Sequence, residues 1–266
     1  MDKRRSRKSN LRLLPTFLAV TALLAVLWLV AELFDQHEAP AGRQAPLPSS
    51  SFSASDFALI NGRMHYNGSC QQGIDVSVHQ GQIDWARVAE DGIDFAIVRM
   101  GYRGTTEGSI FRDECFLPNV TGAQAVGIQT GAYFFSQAVS VDEAIQEADL
   151  AIELLQDVKL DGPVMYDWEV ASGGRTDGLD YATVTACAVA FCQKLEDAGF
   201  EAGVYFNLEM AKYLHFSDLK DYTLWVADYN ESPRFDYAFS YWQYTSTGSV
   251  SGITGDVDLN LRFLPE

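Results

Sequence analysis

From Ile74 to the C-terminus, short apolar runs rich in β-branched and aromatic residues alternate with segments of helical period, and this alternation constrains the fold more than any other feature. Ile74–Val78, Phe95–Met100, Thr130–Phe135 and Pro163–Trp168 read as strands. Between them, Trp85–Glu90 and Phe116–Ala125 read as helices. Ser140 and Glu143 form a capping box ahead of Ala144, Ile145, Ala148, Ala151, Ile152 and Leu155, which follow the 3.6-residue period. A longer helix is predicted from Tyr181 to Ala198, with Gly199 as its C-cap. Ala202–Phe206, Thr223–Ala227, Phe239–Tyr244 and Asp256–Leu259 supply further strands, and the connections after Tyr222 are too short for helices. Strands separated by helices imply parallel βαβ units. About eight strands in so short a stretch suit an irregular α/β barrel of the TIM type better than an open sheet.

The N-terminus is of another character. Six of the nineteen basic residues fall within the first twelve positions, beside Asp2 alone, which leaves thirteen bases against thirty-five acids in the remainder. So acidic a body argues against nucleic acid, whose phosphates require a basic surface. Leu13–Phe34 follows, with Glu32 as its one charge. About 20 apolar residues span a bilayer, and a basic flank stays on the cytoplasmic side. The expectation is one transmembrane helix over 13–34 after a cytoplasmic segment 1–12, with cleavage near Ala39-Pro40-Ala41 as the alternative. Either reading exports the rest of the chain. Residues 35–70, rich at first in Pro, Ser and Ala, are expected to be a linker, and 71–266 the barrel.

Cys70, Cys115, Cys187 and Cys192 are too few for a disulfide scaffold. Cys187 and Cys192 lie about 140° apart around a helix and are poor partners. Cys70 and Cys115 could pair in an oxidising space. No spacing of Cys or His suggests a structural metal, and no cofactor is expected.

In barrels of this type the working groups sit at the C-terminal ends of strands. That rule presents Asp75 with Ser77 and His79, Arg99 with Tyr102, Tyr133 with Phe135, Asp167 with Glu169, Tyr205 with Asn207, Asp228 with Tyr229, Gln243 with Tyr244, and Asp258. Acids and aromatics dominate, as in a carbohydrate cleft. Asp167-Trp168-Glu169 is the sharpest feature. Strand residues two apart share a face, and crowded carboxylates are driven to different pKa values, as acid–base catalysis of glycoside hydrolysis requires. Asp75, between Ile74 and Val76, is expected to face the barrel mouth or to cap the following loop. His79 reads as a solvated loop residue. Trp85, Trp225 and Trp242 suit core packing, with Trp225 also a candidate for the cleft.

Taken together, residues 73–85 (GIDVSVHQGQIDW), 95–103 (FAIVRMGYR), 129–136 (QTGAYFFS), 165–169 (MYDWE), 224–229 (LWVADY) and 241–260 (YWQYTSTGSVSGITGDVDLN) resemble, in order and spacing, the signatures of glycoside hydrolase family 25 lysozymes. The resemblance implies a (β/α)5(β)3 barrel that hydrolyses the β-1,4 bond between N-acetylmuramic acid and N-acetylglucosamine in peptidoglycan. It implies Glu169 as general acid/base, Asp167 as the carboxylate beside it and Asp75 as a first-strand catalytic acid. Asp258 would line the cleft, with Tyr102, Tyr133, Phe135, Tyr205, Trp225, Asp228 and Gln243 as further substrate-binding candidates. The expected partners are peptidoglycan strands and the membrane, with the chain a monomer. Rival readings are hydrolysis of another amino-sugar polymer such as chitin, or a surface protein that binds glycan without cleaving it. Carboxylates gathering Mg²⁺ or Ca²⁺ for phosphoester chemistry would require phosphate-binding lysines or a Gly-rich loop, neither of which is found.

Overall fold

A computed structural model describes residues 47–265, which form one compact unit. Eleven strands and four α-helices follow in chain order. They are β1 (Phe57–Ile60), β2 (Arg63–Tyr66), β3 (Cys70–Val76), α1 (Trp85–Glu90), β4 (Phe95–Arg103), β5 (Ile110–Arg112), α2 (Phe116–Ala125) and β6 (Gln129–Ser136). Then come α3 (Val141–Leu154), β7 (Val164–Trp168), α4 (Tyr181–Asp197), β8 (Ala202–Asn207), β9 (Thr223–Ala227), β10 (Tyr241–Gly248) and β11 (Val257–Phe263).

Eight strands close a barrel. The order runs β3, β4, β6, β7, β8, β9, β10, β11 and back to β3, and β5 extends the end of β4 on the outside. All neighbours in the ring are parallel except at β11, which runs antiparallel to both β10 and β3. The first residues of β11 therefore lie level with the last residues of β3. Four α-helices cover the early connections; after β8 two one-turn 3-10 segments, Met210–Tyr213 and Phe216–Asp218, take their place.

Alternation along each strand sorts side chains into two layers. Tyr166 and Trp168 of β7 face outward, where Tyr166 packs on Phe191 of α4 and Trp168 on Tyr213. Met165 joins Phe95, Ile97, Tyr205, Trp225 and Tyr241 in a separate cluster that fills the barrel. Both faces of β7 are buried, as in any sheet covered by helices. Each such large side chain contributes about 1.5–3 kcal/mol through burial. Two glycines make room for the filling. A Cβ at Gly73 would lie 2.1 Å from the Phe95 ring, and one at Gly203 would lie 2.4 Å from the Met165 sulfur.

The helices begin where the sequence places their caps. Asp84 accepts from the Arg87 amide, Ser140 from Glu143 and Asp180 from Thr183. The carboxylate of Glu143 returns a bond to the Val139 amide, one residue before the cap.

The expected linker over 35–70 is corrected within the described residues. Pro48 and Ser50 bond to Ala238 and Asp236, and β1 and β2 form an antiparallel hairpin. Its turn is Asn61-Gly62, both at positive φ, the backbone that a two-residue hairpin turn requires. The hairpin packs against the outer side of β10 and β11. Phe57 meets Trp242 at 5.1 Å, and Phe263 meets Tyr66 at 5.1 Å and Phe52 at 4.2 Å. Arg63 binds Asp91 at the end of α1. These aromatic contacts outweigh the Ser- and Pro-rich composition that suggests a tether. The expected basic segment 1–12, membrane helix 13–34 and first part of the linker lie outside the described residues. Among the described residues, no helix is long and apolar enough to cross a membrane. All four cysteines are free thiols, so the possible Cys70–Cys115 pairing is not made.

Candidate active site

The barrel mouth holds a cavity of about 200 Å³ walled largely by acids and aromatic rings. Nine of the catalytic and substrate-binding candidates line it: Asp75, Tyr133, Phe135, Asp167, Glu169, Tyr205, Trp225, Gln243 and Asp258. They come from seven of the eight barrel strands or from the residue just past a strand end. Asp167 is the last inward residue of β7, and Glu169 follows one residue beyond it, so the same alternation that buries Trp168 outward turns both carboxyls into the mouth. Asp75 is next to last in β3, and its register partner across the antiparallel seam is Asp258. Asp258 thus sits at the beginning of its strand, not the end, and reaches the mouth because β11 is reversed.

Asp75 is held by two amides. Nε2 of Gln243 and Nδ2 of Asn260 both donate to its Oδ2 at 2.8 Å. Both amides are engaged on their oxygen side as well. Gln243 Oε1 accepts from the Tyr205 hydroxyl at 3.1 Å and the Tyr229 hydroxyl at 2.8 Å. Asn260 Oδ1 accepts from Trp225 Nε1 at 2.9 Å, and an indole nitrogen can only donate. The donor-only indole therefore turns the Asn260 amide nitrogen toward Asp75, and the two phenols bond the Gln243 oxygen on the side away from Asp75. Trp225 is at once cavity wall, packing centre against Tyr205 and Tyr133, and anchor of this chain.

Asp167 lacks such support. Its Oδ1 is buried and has no hydrogen-bond partner among the described residues. A buried, unpaired acceptor costs about 1–3 kcal/mol. Arg99, the one cation lining the cavity among the described residues, is already engaged through Nε with the buried Asp113 at 2.8 Å.

Electrostatics follow from the crowding. Burial, then the charge of Asp258, raises Asp75 well above the usual carboxylate range, against the lowering effect of its two amide donors. Burial, then Glu169 and Asp75, raises Asp167 well above it too, with Arg99 opposing. Burial and Asp258 raise Glu169, and burial pushes Asp258 up to about 6. The four acids lie too close to titrate independently, and their burial and mutual repulsion favour the protonated forms. The sequence alone suggests Asp167 ionised beside a protonated Glu169. Asp167 is the more deeply buried of the two and lacks a donor to its Oδ1, so burial raises it as well as Glu169.

Two expected binding residues are not brought to the cavity. Tyr102 stacks on Phe111 of β5 and lies 5.2 Å from the Arg99 guanidinium carbon, so it supports Arg99 from outside. Tyr102 is three residues beyond Arg99, which lines the cavity, so plain strand alternation does not turn the two to one face. Asp228 is buried, and its carboxylate accepts from the amide, Nε and Nη2 of Arg234 and from Asn230. It folds the loop after β9 and does not face substrate. His79 is exposed and outside the cavity, as its loop position suggests. Arg99 and Tyr229, which the strand-end rule presents without a binding role, also line the cavity, whereas Asn260, which supports Asp75, lies outside the residues that rule gives. Asn260 was recoverable, since it sits two residues after Asp258 on the same strand face. Among the described residues, no three His, Cys, Asp or Glu side chains converge as a metal site.

Comparison with known proteins matches residues 74–253 to the glycosyl hydrolases family 25. The chain is 28% identical over 190 residues to an autolytic lysozyme of Clostridium acetobutylicum, covering 71% of this chain and 55% of that protein. It is 28% identical over 203 residues to Lysozyme M1 of Streptomyces globisporus, covering 71% and 66%. Among solved structures, the modular autolysin LytC of Streptococcus pneumoniae superposes with a TM-score of 0.67 at 26% identity, covering 78% of this chain and 52% of that one. The chain thus spans about half the length of the first of these relatives.

Proposed function

The chain belongs to glycosyl hydrolases family 25, and from that premise we propose that it cleaves the β-1,4 bond between N-acetylmuramic acid and N-acetylglucosamine in peptidoglycan. The observation that carries the proposal is the convergence of four protonatable carboxyls, Asp75, Asp167, Glu169 and Asp258, in one small aromatic-walled cavity. A barrel of (β/α)5(β)3 type is the finer description that goes with it.

In the proposed mechanism Glu169 gives its proton to the glycosidic oxygen as the bond to the anomeric carbon breaks. The carbonyl oxygen of the sugar's own 2-acetamido group attacks that carbon, and Asp167 orients the group by accepting from its N–H. The unpartnered Oδ1 of Asp167 suits that role, because a substrate amide would supply the missing donor. Water then opens the cyclic intermediate and loses its proton to the Glu169 carboxylate. Asp75 and Asp258 hold the negative field that favours the positive charge developing on the sugar. Tyr133, Phe135, Tyr205, Trp225 and Gln243 shape the sugar subsite.

A membrane-tethered monomer, with the barrel outside the cytoplasmic membrane, is part of the same proposal, resting on the apolar run 13–34 and its basic flank. Mass spectrometry of fragments released from purified wall tests the activity. Muramic-acid reducing ends are the expected result. Glucosamine reducing ends, or cleavage of chitin with the wall left intact, would overturn it.

A further inference from the structure

Glu169 lies one residue beyond the end of β7, just past the last paired rung of the sheet. The parallel pairing of β6 with β7 stops at Ser136 and Trp168, so the next rung would set Gln137 against Glu169. At that rung a side chain does the work of the backbone. Gln137 Nε2 donates to the Glu169 carbonyl at 2.6 Å and to the Ser136 carbonyl at 3.0 Å. Carbonyl oxygens only accept, which fixes the amide with its nitrogen toward them. Its Oε1 accepts from the Thr176 hydroxyl at 3.3 Å, and that hydroxyl also reaches the Glu169 carbonyl at 3.4 Å.

The turn that carries Gln137 is held on both sides. Ser136 Oγ donates to Glu147 and accepts from the Ala138 amide, and the Ala138 carbonyl accepts from Trp168 Nε1 at 3.3 Å. Trp168 and Glu169 are therefore each tied to the 136–138 turn, one through its indole and the other through its carbonyl. Gln137 is 0% exposed and does not line the cavity, so it does not meet substrate. Packing alone would be met by an apolar side chain of the same volume, without the cost of burying an amide.

We propose that Gln137 is a positioning residue for the reaction, extending the sheet by one rung so that the main chain of Glu169 is fixed and its carboxyl stays aimed into the cavity. The inference rests on Glu169 as the acid of the proposed function, and its test is separable. Turnover on purified wall is measured against pH for the full chain and for Glu169→Gln, Gln137→Met and Gln137→Asn, with the thermal midpoint of each. Methionine keeps the length and has no N–H; asparagine keeps the amide and is one methylene too short to reach. Each should lower kcat by about tenfold to a hundredfold with KM nearly unchanged. The basic limb of the profile should move to lower pH, because a carboxyl released toward solvent loses the burial that raises Glu169. Thr185→Val removes a buried hydroxyl that bonds the Tyr181 and Tyr213 carbonyls outside the cavity lining, and should lower the midpoint with kcat and limb unmoved. Retained kcat in a folded Gln137 variant, a fall in kcat with the limb unmoved, or loss of the fold in both variants overturns the positioning role. Undiminished turnover by Glu169→Gln would overturn the acid assignment instead, whatever the Gln137 variants give.

Discussion

Asp75 and Asp258 face each other directly across the antiparallel seam between β3 and β11, a pairing of like charges that a sheet ordinarily avoids. The arrangement costs stability and is kept at the one place where the barrel reverses a strand. Its cost depends on pH. Asp258 is pushed up to about 6, chiefly by burial, from an ordinary value near 4. Between those two values the native protein holds a proton that the unfolded chain has released, so stability falls as pH rises from about 4 to 6. Asp258→Asn should therefore be more stable than the parent at pH 7.5, by about 1–2 kcal/mol after allowance for screening. The gain should vanish below about pH 4. Urea denaturation at the two pH values measures it, and a pH-independent difference would contradict this account.

Glu169 contributes its carboxyl to the cavity but its backbone to the fold, since its carbonyl accepts from Gln137 Nε2 at 2.6 Å. Glu169→Gln should keep the thermal midpoint within a few degrees while lowering turnover on purified wall by about a thousandfold. Retained turnover would remove Glu169 as the acid.

Asn260 acts on Asp75 as a positioning residue, turned by Trp225 so that its amide donates. Loss of that donor removes an effect that lowers the Asp75 pKa. Asn260→Ala should shift the acidic limb of the kcat/KM profile to higher pH and reduce kcat about tenfold or more. A fall in kcat with the limb unmoved would indicate a structural role alone.

Away from the cavity, Arg103 and Glu147 form a buried pair at 2.6 Å, joined by Ser136 and Tyr166. Burial raises Glu147 to about 7 despite the pair. Arg103 also donates to the carbonyls of Gly108 and Glu143, which ties β4 to α3. Glu147→Ala strands a buried guanidinium and should cost about 3 kcal/mol, read by chemical denaturation at pH 8. A loss below about 1 kcal/mol would show that water or Glu143 replaces the partner.

Much of the architecture was legible from local pattern. Phe116–Ala125 and Thr223–Ala227 have the bounds that their periodicity suggests. Asp167 and Glu169 were assignable to one face because a strand alternates with period two, whatever surrounds it. The Asn61-Gly62 turn between FALI and RMHY was also readable, as a short-range hairpin signal, beside the Ser- and Pro-rich stretch that suggests a tether.

What local pattern could not supply were relationships made by closure of the chain on itself. Alternation states that Asp258 and Asn260 share a face, but not that β11 runs downward and so sets Asp258 opposite Asp75. Nor does it show that Arg234, six residues on, claims Asp228, or that Tyr102 stacks on Phe111 of the strand outside the ring. Residue type and spacing depend on covalent geometry, and they determined the barrel class and the acids at its mouth. Which acids meet, which amide faces which carboxylate and which protons stay bound depend on burial and on partners more than a hundred residues apart, and only the tertiary structure decided those.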